Sequence, residues 1–333
     1  MHNQIDKPLS SEGLNEPPVN SIAQDIAVKH FKEGLKQQQQ GKYKKSLDLL
    51  QYALTTASQG SDSLLKGKIY AAIAAAYYRQ RHYLWVLEPA RKALHIARSL
   101  DHACLQLSAL DQLGNSYRHL NDIEKALVPL EQSYRLAEAM GYRKAMSRSL
   151  NNLGLAHKAN NNYVQAIRCY QQSLTLAQAE QNLQSVSQIL RNIGNLYHRI
   201  GDYENTIHYY SRLVEAPNFD KPAVLKILRS LSTACYALGR HSLAVQYLKQ
   251  RLQLAQELKD LKAQEQSLDS LSINHEALGQ TDCVIDYQEQ RLQVCLALQN
   301  CNLQQQALNV LKTSCLAAGD FDRILKYQHL MDG

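Results

Sequence analysis

The chain copies itself every 40 residues, and no other feature limits its fold as strongly. Aligned on the aliphatic residue that opens each match, IAAAYYRQRHY from 73, LGNSYRHLNDI from 113, LGLAHKANNNY from 153 and IGNLYHRIGDY from 193 keep that spacing. The pattern reaches back to EGLKQQQQGKY from 33. After one step of 38 it continues to LSTACYALGRH from 231, LSINHEALGQT from 271 and LKTSCLAAGDF from 311. A period in this range marks a supersecondary unit stacked on copies of itself.

Each copy has one inner logic. An aliphatic residue is followed by a small one (Gly34, Ala74, Gly114, Gly154, Gly194, Ser232 or Ser272), then an aromatic or similar residue, a short polar turn, and a second run with helical spacing such as YVQAIRCYQQSLTLA. That is a helical hairpin in which the small residue lets the helices approach closely. Asp122, Asp202 and Asp320 stand where they can cap the second helix, and Ala126, Ala166, Ala244 and Val284 pack back on the first. One hairpin cannot bury its own apolar face, so the copies must stack. Pro89 and Pro129 take the same place in two successive second helices and predict a local bend. The missing two residues fall at EAPNFDKP, 215–222, which reads as a shortened helix with a stiff loop.

Composition supports a helical reading, with 19 Tyr but only three Phe and one Trp, and 45% hydrophobic content for a core. The seven cysteines are odd in number and contain no C-x-x-C pair, which predicts free core thiols in a reducing, cytoplasmic setting. The opening MHNQIDKPLSSEGLNEPP has no apolar h-region, and the longest apolar run, YAAIAAAYY at 70–78, is too short to span a bilayer. Residues 1–20 are expected to be a disordered tail, with Ser21 and Gln24 as a capping box that starts the first helix. The QQQQ at 37–40 is expected to be solvated helix surface.

This pattern resembles the tetratricopeptide repeat, on the strength of Leu113, Gly114, Tyr117, Ala126 and Leu130, then Leu153, Gly154, Ala166 and Tyr170, then Ile193, Gly194, Tyr197 and Tyr210. The 40-residue length is similar to the long-helix variant of kinesin light chains and related adaptors, and Leu110, Leu150, Leu190 and Leu268 replace the usual opening Trp. The resemblance implies an all-α, right-handed superhelical solenoid of about eight hairpins over residues 21–333, opening near 21, 68, 108, 148, 188, 226, 266 and 306.

It also implies a site. In this family the first helices of the hairpins line a concave groove that binds extended peptides. Carried over residue by residue, the peptide-contacting places include Asn115 and Arg118 in repeat three and Arg148, Asn151, Asn152 and Lys158 in repeat four. They continue as Arg191, Asn192, Asn195 and Arg199 in repeat five and Lys226 and Arg229 in repeat six. Asn115, Asn152, Asn192 and Asn195 would form a ladder whose carboxamides hold a peptide main chain, each offering a donor and an acceptor. Repeats three to six place seven bases and one acid, Asp111, on such positions, whereas repeats seven and eight place Asp269 and Glu276 and no base. The groove is therefore expected to be positive in its middle. A micromolar ligand needs about −8 kcal/mol, within reach of several charge-assisted hydrogen bonds at roughly 1.5–3 kcal/mol each.

The expected function is a scaffold or adaptor that binds a protein through an extended acidic segment. RNA or another polyanion in the same groove is the alternative, weakened because only Tyr236 among these places offers a stacking ring. No enzyme, cofactor or metal is expected: Walker A, G-x-S-x-G and G-x-G-x-x-G sequences are missing, and HEALG at 275–279 has Gly279 where a zincin needs its second His. His157 and His275 occupy the aromatic place of their hairpins and are expected to pack. Within the family, regulators with an N-terminal helix-turn-helix domain are disfavoured by the short segment before the first repeat. Carboxylate-clamp cochaperones are disfavoured by Phe31 and Leu35 at the clamp places, and adaptors with C-terminal motif arrays because the last hairpin ends the sequence.

Overall fold

The computed structural model describes residues 19–58, 62–214 and 220–331, and among them it is all helical, with 16 helices and no strand. Met1–Asn162 and Tyr163–Gly333 form two compact units. The first contains α1 (Val19–Gln39), α2 (Tyr43–Ala57), α3 (Ser63–Arg79), α4 (Tyr83–Ser99), α5 (Ala103–His119), α6 (Ile123–Ala139) and α7 (Arg143–Ala159). Each packs on the next, and α1, α3, α5 and α7 also touch in sequence, so the first helices of the hairpins make one layer. The second unit contains α8 (Tyr163–Ala179), α9 (Leu183–Ile200), α10 (Tyr203–Val214), α11 (Lys221–Ala237), α12 (His241–Glu257), α13 (Leu261–Ala277), α14 (Thr281–Ala297), α15 (Cys301–Ala318) and α16 (Phe321–Met331), again packed in chain order.

The hairpin is set by a small residue facing a large one 16 positions on. A methyl group added to Gly114 would lie 2.4 Å from Leu130 Cγ, and one added to Gly194 would lie 2.4 Å from Tyr210 Cε1. Where Ala74 replaces the glycine, Ala90 replaces the large partner, and both are fully buried. Ala126, Ala166, Ala244 and Val284 are buried as expected. Asp122, Asp202 and Asp320 cap α6, α10 and α16 by accepting from the backbone N–H three residues on, at 3.1–3.3 Å. The first helices carry their own caps, among them Asp62, Asn182, Asp220, Asp260 and Asn300. The first helices start five residues before the openings near 68, 108, 148, 188, 226, 266 and 306.

The turns repeat as faithfully as the helices. Gly41, Arg81, Asn121, Asn161, Gly201, Gly239, Gly279 and Gly319, one per hairpin, all have positive φ. Only glycine holds that conformation without a Cβ penalty, so Arg81 at φ 64° is strained relative to Gly201 at φ 78°.

Three details depart from the sequence reading. α1 already runs from Val19, so Ser21 lies inside the helix and does not cap it; the rest of the expected tail is outside the described residues. Gln37 is buried against Glu33, and Gln38 donates to the Ala72 carbonyl of the next hairpin at 2.7 Å, so half of QQQQ is interface and not solvated surface. All seven cysteines are free, but Cys104 and Cys301 are exposed rather than core. Pro89 and Pro129, where a bend was expected, lie inside the continuous helices α4 and α6. The expected shortened helix end and stiff loop at repeat five fall on residues 215–219, outside the described residues.

Two measurements check this account. Gly194→Ala should destabilise by about 1–3 kcal/mol in urea unfolding because the Tyr210 ring must move, whereas Arg81→Gly should stabilise by about 0.5–1 kcal/mol. Native thiol labelling followed by peptide mapping should mark Cys104 and Cys301 first. Cys169, Cys235, Cys295 and Cys315 should lag, since each is buried and burial pushes the Cys235 thiol up to about 11.

Candidate functional site

The helix period decides which of the family's places face solvent. On α9, Ile189, Leu190, Ile193, Leu196 and Tyr197 are buried, and Asn192 falls on their side, 6% exposed, with Gln188 donating to its Oδ1 at 3.2 Å. Asn195 is exposed, and its Oδ1 accepts from the Tyr210 hydroxyl at 2.7 Å. Burial pushes that hydroxyl up to about 12, so it remains a donor at ordinary pH. In the first unit Asn152 is also buried, while Asn115 is half-buried and donates to the Asp111 carbonyl at 2.9 Å. The four asparagines therefore do not make a uniform exposed ladder. Asn152 and Asn192 are internal, and Asn115 and Asn195 reach the surface with part of their capacity already used.

The bases divide too. Arg148 is spent on Asp111, Nε to Oδ2 at 2.7 Å. Asp111 is buried, accepts from Ser133 at 2.9 Å, and is also hydrogen-bonded by Asn152; Ser133 in turn meets Ser149 at 2.9 Å. Burial pushes the Asp111 carboxyl up, and Arg148, Ser133 and Asn152 pull it only part of the way back. Arg118 is half-buried between Asn115 Oδ1 and His119 Nε2, which lies 2.9 Å away. Asn151 and Lys158 are half-buried on α7. In the second unit Arg191 is held by Gln188, Arg199 lies over the Tyr163 ring at 6.0 Å, and Lys226 and Arg229 are exposed on α11. None of these four has an acidic partner within ion-pair distance among the described residues.

Towards the end of the second unit the signs reverse. Asp269 is paired, and so is Glu265: both bind Arg291 of α14, which is 4% exposed, at 2.6 and 2.7 Å. Arg251 of α12 is just as buried, at 5%, but meets only neutral acceptors. The sequence reading missed both arginines because it followed the first helices alone. Their signal was available, since Arg251 and Arg291 stand 40 residues apart in the row that holds Ala93, Ser133 and Ser173 in earlier repeats. Between α11 and α13 lies a 220 Å³ cavity lined by Thr233, Tyr236, Leu248, Ser270, Ile273 and others. His275 is buried and stacked on Tyr287, as its place in the hairpin implied. No group of three metal-ligating side chains is found among the described residues, and no helix there is long and apolar enough to cross a membrane.

A family model for the tetratricopeptide repeat matches residues 145–218 and, one period on, 185–257. The matched stretch, residues 145–257, is built of tetratricopeptide repeats. The chain is similar in fold to a signal-transduction ATPase with a tetratricopeptide repeat sensor from Pyrococcus horikoshii, with a TM-score of 0.67 and 14% identity over 86% of this chain. This chain spans only 46% of that one. A Rap protein complexed with Competence and Sporulation Factor is similar at TM-score 0.54 and 14% identity, covering 82% of this chain and 76% of that one. The apo quorum sensor NprR of B. thuringiensis follows at 0.50 and 14%, covering 93% and 98%. At such identities the likeness is one of fold. No curated protein matches by sequence.

The Asp111 centre gives a pH test. Between the unfolded carboxylate value, about 3.9, and the raised folded one, the unfolded chain releases a proton that the folded chain keeps. Wild-type stability relative to Asp111→Asn should therefore fall as pH rises through that window and level off above it. Urea unfolding of both proteins from pH 3 to 7 measures the difference.

Proposed function

We propose that this chain is a non-enzymatic scaffold that holds an extended, acidic peptide segment of a protein partner on the exposed faces of its first helices. The observation that carries the reading is the set Arg191, Arg199, Lys226 and Arg229. These are four cations on α9 and α11 with no acidic partner among the described residues, in a chain where Arg148 and Arg291 do have theirs. Structural pairs neutralise themselves, so unmatched cations on one pair of helices are left for an external anion. Asn195 adds main-chain recognition, since Tyr210 takes its oxygen and the exposed carboxamide nitrogen can still donate. In the first unit Asn115, Arg118, Asn151 and Lys158 are the corresponding contacts, while Asn152, Arg148 and Asn192 support the surface from behind or are already paired. A binding role for this fold agrees with the Rap protein structure, which was solved complexed with Competence and Sporulation Factor.

Fluorescence anisotropy with labelled acidic peptides and with single-stranded RNA of matched charge tests the reading. Micromolar peptide binding is expected. Arg191→Glu with Arg199→Glu should lower it at least about tenfold and flatten its salt dependence, and Asn195→Ala should cost about 1 kcal/mol. RNA bound as tightly as any peptide, and indifferent to Asn195→Ala, would replace the peptide reading with a polyanion one.

A further inference from the structure

Repeats three, six and seven can be compared at two equivalent places, one on the first helix of the hairpin and one 22 residues later on the second. In repeat three these are Asp111 and Ser133, hydrogen-bonded at 2.9 Å. In repeat seven they are Asp269 and Arg291, paired at 2.6 Å, with Glu265 as a second carboxylate on the same guanidinium. In repeat six they are Arg229 and Arg251, and the place of Glu265 is taken by Leu225. Repeat six thus has an arginine at both places where the neighbouring repeat pairs one guanidinium with carboxylates, and the charge of Arg229 acts on Arg251.

Arg251 is 5% exposed. Its Nη1 donates to the Ala263 carbonyl at 3.2 Å and the Ser267 hydroxyl at 2.7 Å, its Nη2 donates to Gln266 at 2.9 Å, and its Nε has no partner. Every acceptor is neutral, so the charge is buried without a counter-ion, an expensive arrangement. Burial, and next the charge of Arg229, push its pKa down; Asp260 and Glu265 offset this only in part, and Glu265 is already held by Arg291. The equivalent carboxylate in repeat seven, Asp269, has a side chain 36% exposed, so this place in the hairpin is open to solvent.

One turn along the same helices, Thr233 and Tyr236 on α11 and Ser270 and Ile273 on α13 line the 220 Å³ cavity, with Tyr236 47% and Ile273 41% exposed at its rim. A helical turn rises about 5.4 Å, and side chains two apart on an extended peptide sit about 6.6 Å apart on one face.

We infer that repeat six is a specificity subsite for an acidic side chain and an apolar side chain two residues apart on an extended peptide. The partner's carboxylate takes the place beside Arg251 that Asp269 takes beside Arg291, and its apolar neighbour fills the cavity at Tyr236 and Ile273. This deepens the peptide-binding reading and rests on it.

The test uses the full chain, with Ac-Glu-Ala-Leu-NH2 and its reverse Ac-Leu-Ala-Glu-NH2 as probes and the Gln-for-Glu analogues as controls, followed by NMR chemical-shift titration. One acidic tripeptide should bind, with resonances of α11 and α13 moving, and its Gln analogue should bind at least about tenfold more weakly. Arg229→Asp supplies the missing carboxylate from the chain itself. It should raise the melting temperature of the free protein and abolish tripeptide binding. No shift with either tripeptide, or a lower melting temperature for Arg229→Asp, overturns the subsite. Long acidic peptides that still bind, and still respond to Arg191→Glu with Arg199→Glu, would then leave the general reading standing.

Discussion

The whole molecule depends on an apolar surface that a single hairpin cannot hide. Two helices of 17 residues bury one stripe against each other and leave another exposed, so each hairpin is stable only with a neighbour on that second stripe. The neighbour has the same problem, and repetition follows. Within a hairpin the contact is tuned by paired volumes: Gly114 with Leu130, Gly194 with Tyr210, Ala74 with Ala90. Close-packed interiors leave little room for any other combination, because a methyl added on one side must be removed from the other.

Polar groups that enter this packing have to be satisfied inside it, and that divides the charged and amide residues into two populations. Asp111 with Arg148, Ser133 and Asn152 is a closed set, and so is Arg291 with Glu265 and Asp269. Gln38 and Gln112, which donate to the Ala72 and Ala71 carbonyls of α3, tie neighbouring first helices together. Against this background the open set stands out: Arg191, Arg199, Lys226, Arg229 and the buried Arg251 carry charge that no carboxylate in the described chain meets.

Much of this was legible in the residues themselves. The 40-residue period, the hairpin, the caps at Asp122, Asp202 and Asp320, and the small residues at the helix contact are all local or periodic, and a repeat displays local rules many times over. The same register put Asn115, Asn195, Arg199, Lys226 and Arg229 on solvent-reachable faces. What a register cannot give is the depth of a side chain. Asn152 and Asn192 share the family's ligand places with exposed residues, yet Asn152 is hydrogen-bonded to the buried Asp111 and Asn192 to Gln188, and at 9% and 6% exposure they belong to the interior.

By itself the sequence determined that this chain is a stack of helical hairpins, because apolar spacing, turn residues and caps act over a few residues and recur in step. Only the tertiary structure decided which polar residues are spent. Whether Arg148 meets Asp111, 37 positions away, or Arg251 meets no carboxylate, depends on how one hairpin is laid on the next. Electrostatic pairing is a matter of distance in space, and the one-dimensional pattern that sets the helices does not contain it.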